Sequence, residues 1–202
     1  MSIDWGSFLT EWIELERLRR CPEDVIYEQN NPYLGFPEAS EAQIIETERR
    51  LGVALPQSYK RFISFTNGWY KNSIGYAYQR LLPIEEIDWF RVKEPEWLEN
   101  WIEGAGGMPD ENPSVPDEIY FAGAEPDLRI EYLQSALQIS ECGDSDLILL
   151  IPEVIFEDRE WEAWYFANWL GGARRYTSFE ELMIGSYDIQ KQIWEKLRKD
   201  NK

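Results

Sequence analysis

Residues 40–68 read SEAQIIETERRLGVALPQSYKRFISFTNG, and this stretch decides the fold. Ser40 followed three residues later by Gln43 has the spacing of a capping box, in which each side chain satisfies a backbone N–H of the other where a helix begins. Ile44, Ile45, Glu48 and Leu51 continue that helix, and Gly52 supplies the left-handed residue that stops it. Leu55-Pro56 restarts a helix with proline in its first turn, where the missing donor costs nothing. Tyr59, Phe62 and Ile63 form the inward stripe of this second helix, and Asn67-Gly68 is expected to end it.

Upstream, Ile3, Trp5, Phe8, Leu9, Trp12 and Ile13 recur at steps of three and four, the spacing of an amphipathic helix. Residues 21–37 hold three prolines and Asn30-Asn31 and predict a connecting loop. Downstream, the period changes. Residues 76–82 predict a strand and 83–92 a short helical turn. After Pro95, Trp97, Leu98, Trp101 and Ile102 share one helical face, with Glu96, Glu99 and Glu103 around it. Four prolines and four glycines in 104–126 predict a long loop.

The segments 137–140 and 147–151 bracket Cys142-Gly143-Asp144-Ser145-Asp146, the composition of a hairpin turn. Residues 161–167 predict a strand apolar on both faces, with Trp161, Trp164 and Trp169 expected in the core. Ser178 and Glu181 repeat the capping-box spacing and open a last helix toward Lys199, with a break expected near Gly185. Helices, then strands, then a helix point to an α+β fold, an antiparallel sheet with helices packed mainly on one side.

The chain carries 38 acidic and 20 basic residues, no histidine, and a net charge of −18. Lack of histidine excludes histidine-activated nucleophiles and histidine-ligated zinc. The negative charge repels phosphate backbones and anionic lipid, so neither nucleic acid nor a membrane surface is an expected partner. The charge is also localised. Residues 94–160 hold 18 acids against Arg129 and Arg159, a net −16, while 41–93 and 161–202 are slightly positive. An acidic region of this kind suits a basic protein partner, and Glu94, Glu96, Glu99, Glu103, Asp110, Glu111, Asp117 and Glu118 are the candidate contacts, with Trp97 and Trp101 as candidate anchors. A solvated acidic face, and a helix whose tryptophans simply dock on the core, are the plainer alternatives for these residues.

Two cysteines, Cys21 and Cys142, are too few for a secreted disulfide framework, and the charged start is unlike a signal peptide. The longest apolar run, 147–152, is far shorter than a membrane span, so a cytoplasmic protein with free thiols is expected. No cofactor or metal is expected. Asp144 and Asp146 lack the glutamate of a calcium loop, since Ile155 stands at its twelfth position, and residues 104–107 lack a phosphate-loop lysine.

The pattern Glu48, Leu51, Gly52, Leu55, Pro56, Tyr59, Phe62, Asn67, Gly68 resembles the signature of the SUKH superfamily. Leu82-Pro83-Ile84, the turn at 143–146 and Ser178-Phe179 follow in matching order, so the resemblance spans 38 to about 190. It implies a SUKH-like domain over 38–202, with an acidic insertion at about 94–131 and the helix and loop of 1–37 packed against it. It further implies a non-enzymatic immunity protein that binds and neutralises a bacterial toxin, for which this chain's charge suggests a basic nuclease. The signature residues themselves are expected to be structural. The alternatives are a scaffold resembling the fungal regulator of cell-wall glucan synthesis in the same superfamily and, with no motif behind it, a sugar-active enzyme using paired carboxylates.

Overall fold

The Ser40 box closes in both directions: the Ser40 hydroxyl accepts the Gln43 N–H at 3.3 Å, and the Gln43 side chain accepts the Ser40 N–H at 2.8 Å. A computed structural model of the chain describes residues 3–19, 35–74, 77–109, 113–123 and 128–200. Its helices are α1 (Trp5–Arg19), α2 (Glu41–Leu51), α3 (Gln57–Ile63), α4 (Phe90–Lys93), α5 (Pro95–Gly104), α6 (Asp117–Tyr120) and α7 (Phe179–Asp200). Its strands are β1 (Trp69–Ile74), β2 (Ala77–Leu81), β3 (Asp88–Trp89), β4 (Leu137–Gln138), β5 (Asp146–Ile155), β6 (Trp161–Ala167) and β7 (Gly172–Tyr176).

The turn between α2 and α3 is held by one carboxylate. Gly52 adopts φ 73°, and its N–H reaches the Glu48 carbonyl. Glu48 Oε1 then accepts the Leu55 N–H at 2.8 Å and the Lys60 ammonium at 3.1 Å, tying the turn to both helices. Pro56 stands one position earlier than expected, as the N-cap with extended ψ 150°, and it offers no side chain to the helix. Glu160 caps α3 instead, from 102 residues away: its two oxygens accept the Ser58 N–H at 2.7 Å and the Ser58 hydroxyl at 2.5 Å.

Asn67-Gly68 does not end α3, which stops at Ile63 with Ser64 as its C-cap. Asn67 is a brace. Its Oδ1 accepts the Ile84 N–H at 2.7 Å, and its Nδ2 donates to Glu85 Oε2 at 2.9 Å. Glu85 Oε1 in turn accepts from the Gln43 amide, so the start of α2 and the exit of the hairpin share one network. Burial pushes the Glu85 carboxyl up, but these amide and backbone donors outweigh it and hold the group below the usual carboxylate range. Gly68 has φ 99°, and a Cβ there would lie 2.7 Å from the Leu81 carbonyl oxygen.

The fold is α+β. Strands β3-β4-β5-β6-β7 form an antiparallel sheet in sequence order, and β1-β2 form a separate hairpin joined to it by a bridge between Leu81 and Ser140. The expected turn at 142–146 does connect β4 to β5, with Ser145 at φ 61°. Ladder pairing of β5 with β6 shifts between Ile151 and Ile155, around Pro152, which is the irregularity that a strand proline requires.

Side-chain alternation divides β5 and β6 between two cores. Ile148, Leu150, Trp161 and Ala163 face α1, α2, α3 and α7. In that core Trp5, Tyr59, Phe62 and Phe179 interlock, with Phe62 centroids 5.1 Å from both Trp5 and Phe179. Leu147, Leu149, Ile151, Trp164 and Phe166 face the other way, against α4, α5, α6 and the 3-10 turn Ile130–Gln134. The main helical layer thus lies on one side as expected, and the shorter helices α4, α5 and α6 cover the opposite side.

Several local expectations are corrected. Strands β1, β3 and β7 were not expected, and a one-turn helix, α6, interrupts the proline- and glycine-rich loop. Helix α7 runs unbroken through Gly185, whose missing side chain admits the Tyr176 ring: a Cβ would lie 2.6 Å from its Cε1. Trp161 and Trp164 are buried, but Trp169 is 50% exposed on the turn after β6. Tyr76, Cys21 and most of the 21–37 loop lie outside the described residues.

Two glycine substitutions separate backbone strain from crowding. Gly52→Ala meets open space and is expected to cost about 1 kcal/mol, the left-handed penalty alone. Gly68→Ala adds a backbone collision and is expected to cost about 2–4 kcal/mol. Denaturant midpoints of the two variants measure the difference, and equal losses would contradict the packing at Leu81.

Candidate functional site

The described residues of 90–136 form the layer over the second sheet face, and its inner side is apolar. Phe90, Leu98, Tyr120, Ile130 and Leu133 are buried against Leu149, Trp164 and Phe166. Pro95 opens α5, and Glu94 precedes it half-buried, accepting the Leu98 N–H through its backbone carbonyl at 3.0 Å. The stripe expected on α5 is the one that docks. Trp97 and Trp101 are half-buried with ring centroids 5.4 and 4.9 Å from Phe166, and both indole N–H groups donate to Asn168 Oδ1, at 2.7 and 2.8 Å.

A buried polar cluster fastens the layer at its other end. Glu162 projects from β6 into the second core, where its Oε2 accepts from the Tyr120 hydroxyl and, at 2.7 Å, from Trp164 Nε1. Arg175 on β7 lies 3.6 Å from Glu162 Oε1 and donates to the Tyr120 carbonyl at 2.5 Å. The guanidiniums of Arg175 and Arg129 lie over the Tyr120 ring, 3.8 and 4.7 Å from its centroid. Arg129 also pairs with Asp117 and donates to the Val115 carbonyl at 2.9 Å.

Burial pushes the Glu162 carboxyl above the usual carboxylate range, even though Tyr120, Trp164 and Arg175 oppose the shift. Burial, and then the charge of Glu162, push the Tyr120 hydroxyl far above its ordinary value. A carboxyl with a raised pKa beside a tyrosine is the raw material of general acid chemistry. Here both its oxygens are engaged by the chain's own groups and the residue is 4% exposed, so it acts as a tether.

The outer side of the layer is acidic. Glu96, Glu99 and Glu103 are exposed on α5, and Asp117 and Glu118 are exposed on α6. Among the described residues Glu96, Glu99, Glu103 and Glu118 have no cation partner, whereas Glu46, Glu48, Glu86 and Asp88 pair with Arg49, Lys60, Arg80 and Arg50. Asp117 is the exception in the insertion, through Arg129. Asp110 and Glu111 lie outside the described residues. Cys142 is an exposed residue whose thiol is partly covered, and that partial desolvation, then the charges of Glu94 and Asp146, raise its pKa.

Tyr120, Arg129, Glu162 and Arg175 were not among the expected site residues. Two of them carried a usable signal: Glu162 is the lone charge in a strand apolar on both faces, and Arg129 is one of two cations in a block of 18 acids. No described group of histidine, cysteine, aspartate and glutamate could hold a metal, and no described helix is long and apolar enough to cross a membrane.

Compared with known proteins, residues 38–185 match the family described as SMI1 / KNR4 (SUKH-1). No curated protein matches the chain. The family match starts just before Ser40, includes the main sheet and the helices α4, α5 and α6, and ends at Gly185 within α7, leaving α1 outside it.

The tether has a pH signature. Because the folded-state pKa of Glu162 is raised above an unfolded value of about 4.3, the folded protein binds that proton more tightly. Its contribution is fully present below the unfolded pKa and is lost as pH rises through the folded one. The unfolding free energy of the native chain minus that of Glu162→Gln is therefore expected to fall as pH increases above the ordinary carboxylate range. Denaturant titrations on either side of that range measure it, and a flat or rising difference would contradict the burial of this group.

Proposed function

The chain belongs to the SMI1/KNR4 (SUKH-1) family, and on that premise we propose that it is an immunity protein, binding a basic toxin stoichiometrically in the cytoplasm and blocking it without chemistry of its own. The family includes toxin immunity proteins whose partners are toxins, and its members are generally non-enzymatic. The observation that carries the reading for this chain is the unequal pairing of its acids. Glu46, Glu48 and Glu180 of the main helical side pair with cations within the fold, while Glu96, Glu99, Glu103 and Glu118 on the outer side of the second layer have no cation partner among the described residues.

Concentrated like charge costs stability through self-repulsion, and its compensation is rapid, directed capture of an oppositely charged partner. A nuclease, which needs a basic cleft to hold phosphate, presents such a surface. The contacts proposed are Glu94, Glu96, Glu99 and Glu103 on and beside α5, Asp117 and Glu118 on α6, and Asp110 and Glu111 between them. The insertion is then the partner-specific part of a domain that comprises 38–202, with α1 packed on it.

Coexpression with a toxin domain encoded beside this chain is expected to restore growth and to yield a copurifying complex. Absence of both would remove the reading. Replacing Glu96, Glu99 and Glu103 together by lysine is expected to slow association by about 10-fold or more at low ionic strength and to flatten its salt dependence. An unchanged association rate would take the contact surface away from α5.

A further inference from the structure

Beside the C-terminal half of α5 lies a pocket of about 520 Å³ bordered by Trp97, Asn100, Trp101, Gly104, Asn168 and Gly171. Three properties of it agree. Its aromatic walls are fixed in advance, because both indole N–H groups are committed to one acceptor, Asn168 Oδ1, and both rings rest on Phe166. Its border contains no charged residue, while Glu96, Glu99 and Glu103 stand exposed on the same helix without cation partners among the described residues. The pocket also reaches the end of α5, at Gly104 and Ala105, and the last turn of that helix carries no basic residue.

A helix C-terminus is the negative pole of the peptide dipoles, and indole faces are the negative part of the ring quadrupole. The helix end and the unpaired acids elsewhere on α5 therefore both favour a cation near this pocket, and its indole walls accept a flat one. A neutral ring such as a sugar would gain stacking on the tryptophans but nothing from the other two. Between the cationic side chains, arginine matches better, since its planar guanidinium is weakly hydrated and stacks on aromatic faces where an ammonium does not.

We infer that the Trp97–Trp101 pocket receives an arginine side chain of the basic partner and is the anchor of the interface. This rests on the toxin-binding reading for the source of the arginine, and it adds a defined seat to what is otherwise a diffuse acidic surface. Rigid walls suit an anchor, because little side-chain freedom remains to be lost on binding.

The probe is the peptide acetyl-Gly-Arg-Gly-amide, added to nitrogen-15-labelled protein while the indole N–H resonances of Trp97 and Trp101 are followed, with the neutral citrulline peptide as its isostere. The arginine peptide is expected to move both resonances saturably and to bind at least about 10-fold more tightly than the citrulline peptide. Trp101→Leu is expected to weaken it about 5-fold or more. Asn100→Arg, at an exposed helical position that should leave folding intact, is expected to fill the pocket with the chain's own guanidinium and abolish the response. Equal binding of the citrulline peptide, saturable binding of cellotriose in place of arginine, or no movement with any probe would overturn the assignment. The two proposals fail separately. A toxin complex whose dissociation is unchanged by Asn100→Arg removes the anchor and leaves immunity standing. An intact arginine response without toxin rescue or complex removes immunity and leaves the pocket.

Discussion

Strands β5 and β6 carry large apolar side chains on both faces, and the rest of the molecule is arranged by the need to cover both. Each such side chain left in water would forgo about 1.5–3 kcal/mol of burial. On one face Leu150 and Trp161 meet the helices that carry the signature residues. On the other, Leu147, Leu149, Trp164 and Phe166 are covered by residues from Phe90 to Ala136, among them Leu98 and Tyr120. A segment that sequence composition marks as a surface loop, 104–126, therefore places Tyr120 in the second core.

The two sides of this second layer do different work. Its inner side supplies Phe90, Leu98, Tyr120, Ile130 and Leu133 to the packing, and the Tyr120–Glu162–Arg175 cluster fixes its register against β6 and β7. A buried ion pair of this kind adds little net stability over an apolar replacement, but breaking it by removing one partner leaves an uncompensated charge. Its effect is to specify where the layer sits. With the layer held, α5 and α6 present their carboxylates on short rigid helices, and a charge pattern on a rigid support can be complementary to one partner and repel others.

Much of the fold was legible because its signals are local. Ser40 with Gln43, Gly52 with Glu48, and the spacing of Trp5, Leu9 and Trp12 each lie within a few residues, and each folded as the spacing required. Where the sequence misled, the physical cause was a partner far along the chain. The cap of α3 is Glu160, the brace formed by Asn67 reaches Ile84 and Glu85, and Gly185 is explained by Tyr176 rather than by a helix break. Strand β7 was hidden by Arg174 and Arg175, whose charges mask a position beside the buried Trp164. At the candidate site the acids and tryptophans of α5 were visible as a helical face. Tyr120 and its arginines were not, since its bonds to Glu162 and Arg175 span 42 and 55 residues.

The central claim is that the outer side of the insertion, and not the main helical face, receives the partner. Hydrogen exchange of this chain, free and in complex with a toxin domain that it neutralises, tests that most directly. Slowed exchange is expected in residues 95–104 and 117–121, with α2 and α3 unchanged. Slowing confined to 41–63, with the insertion exchanging as in the free protein, would contradict the account.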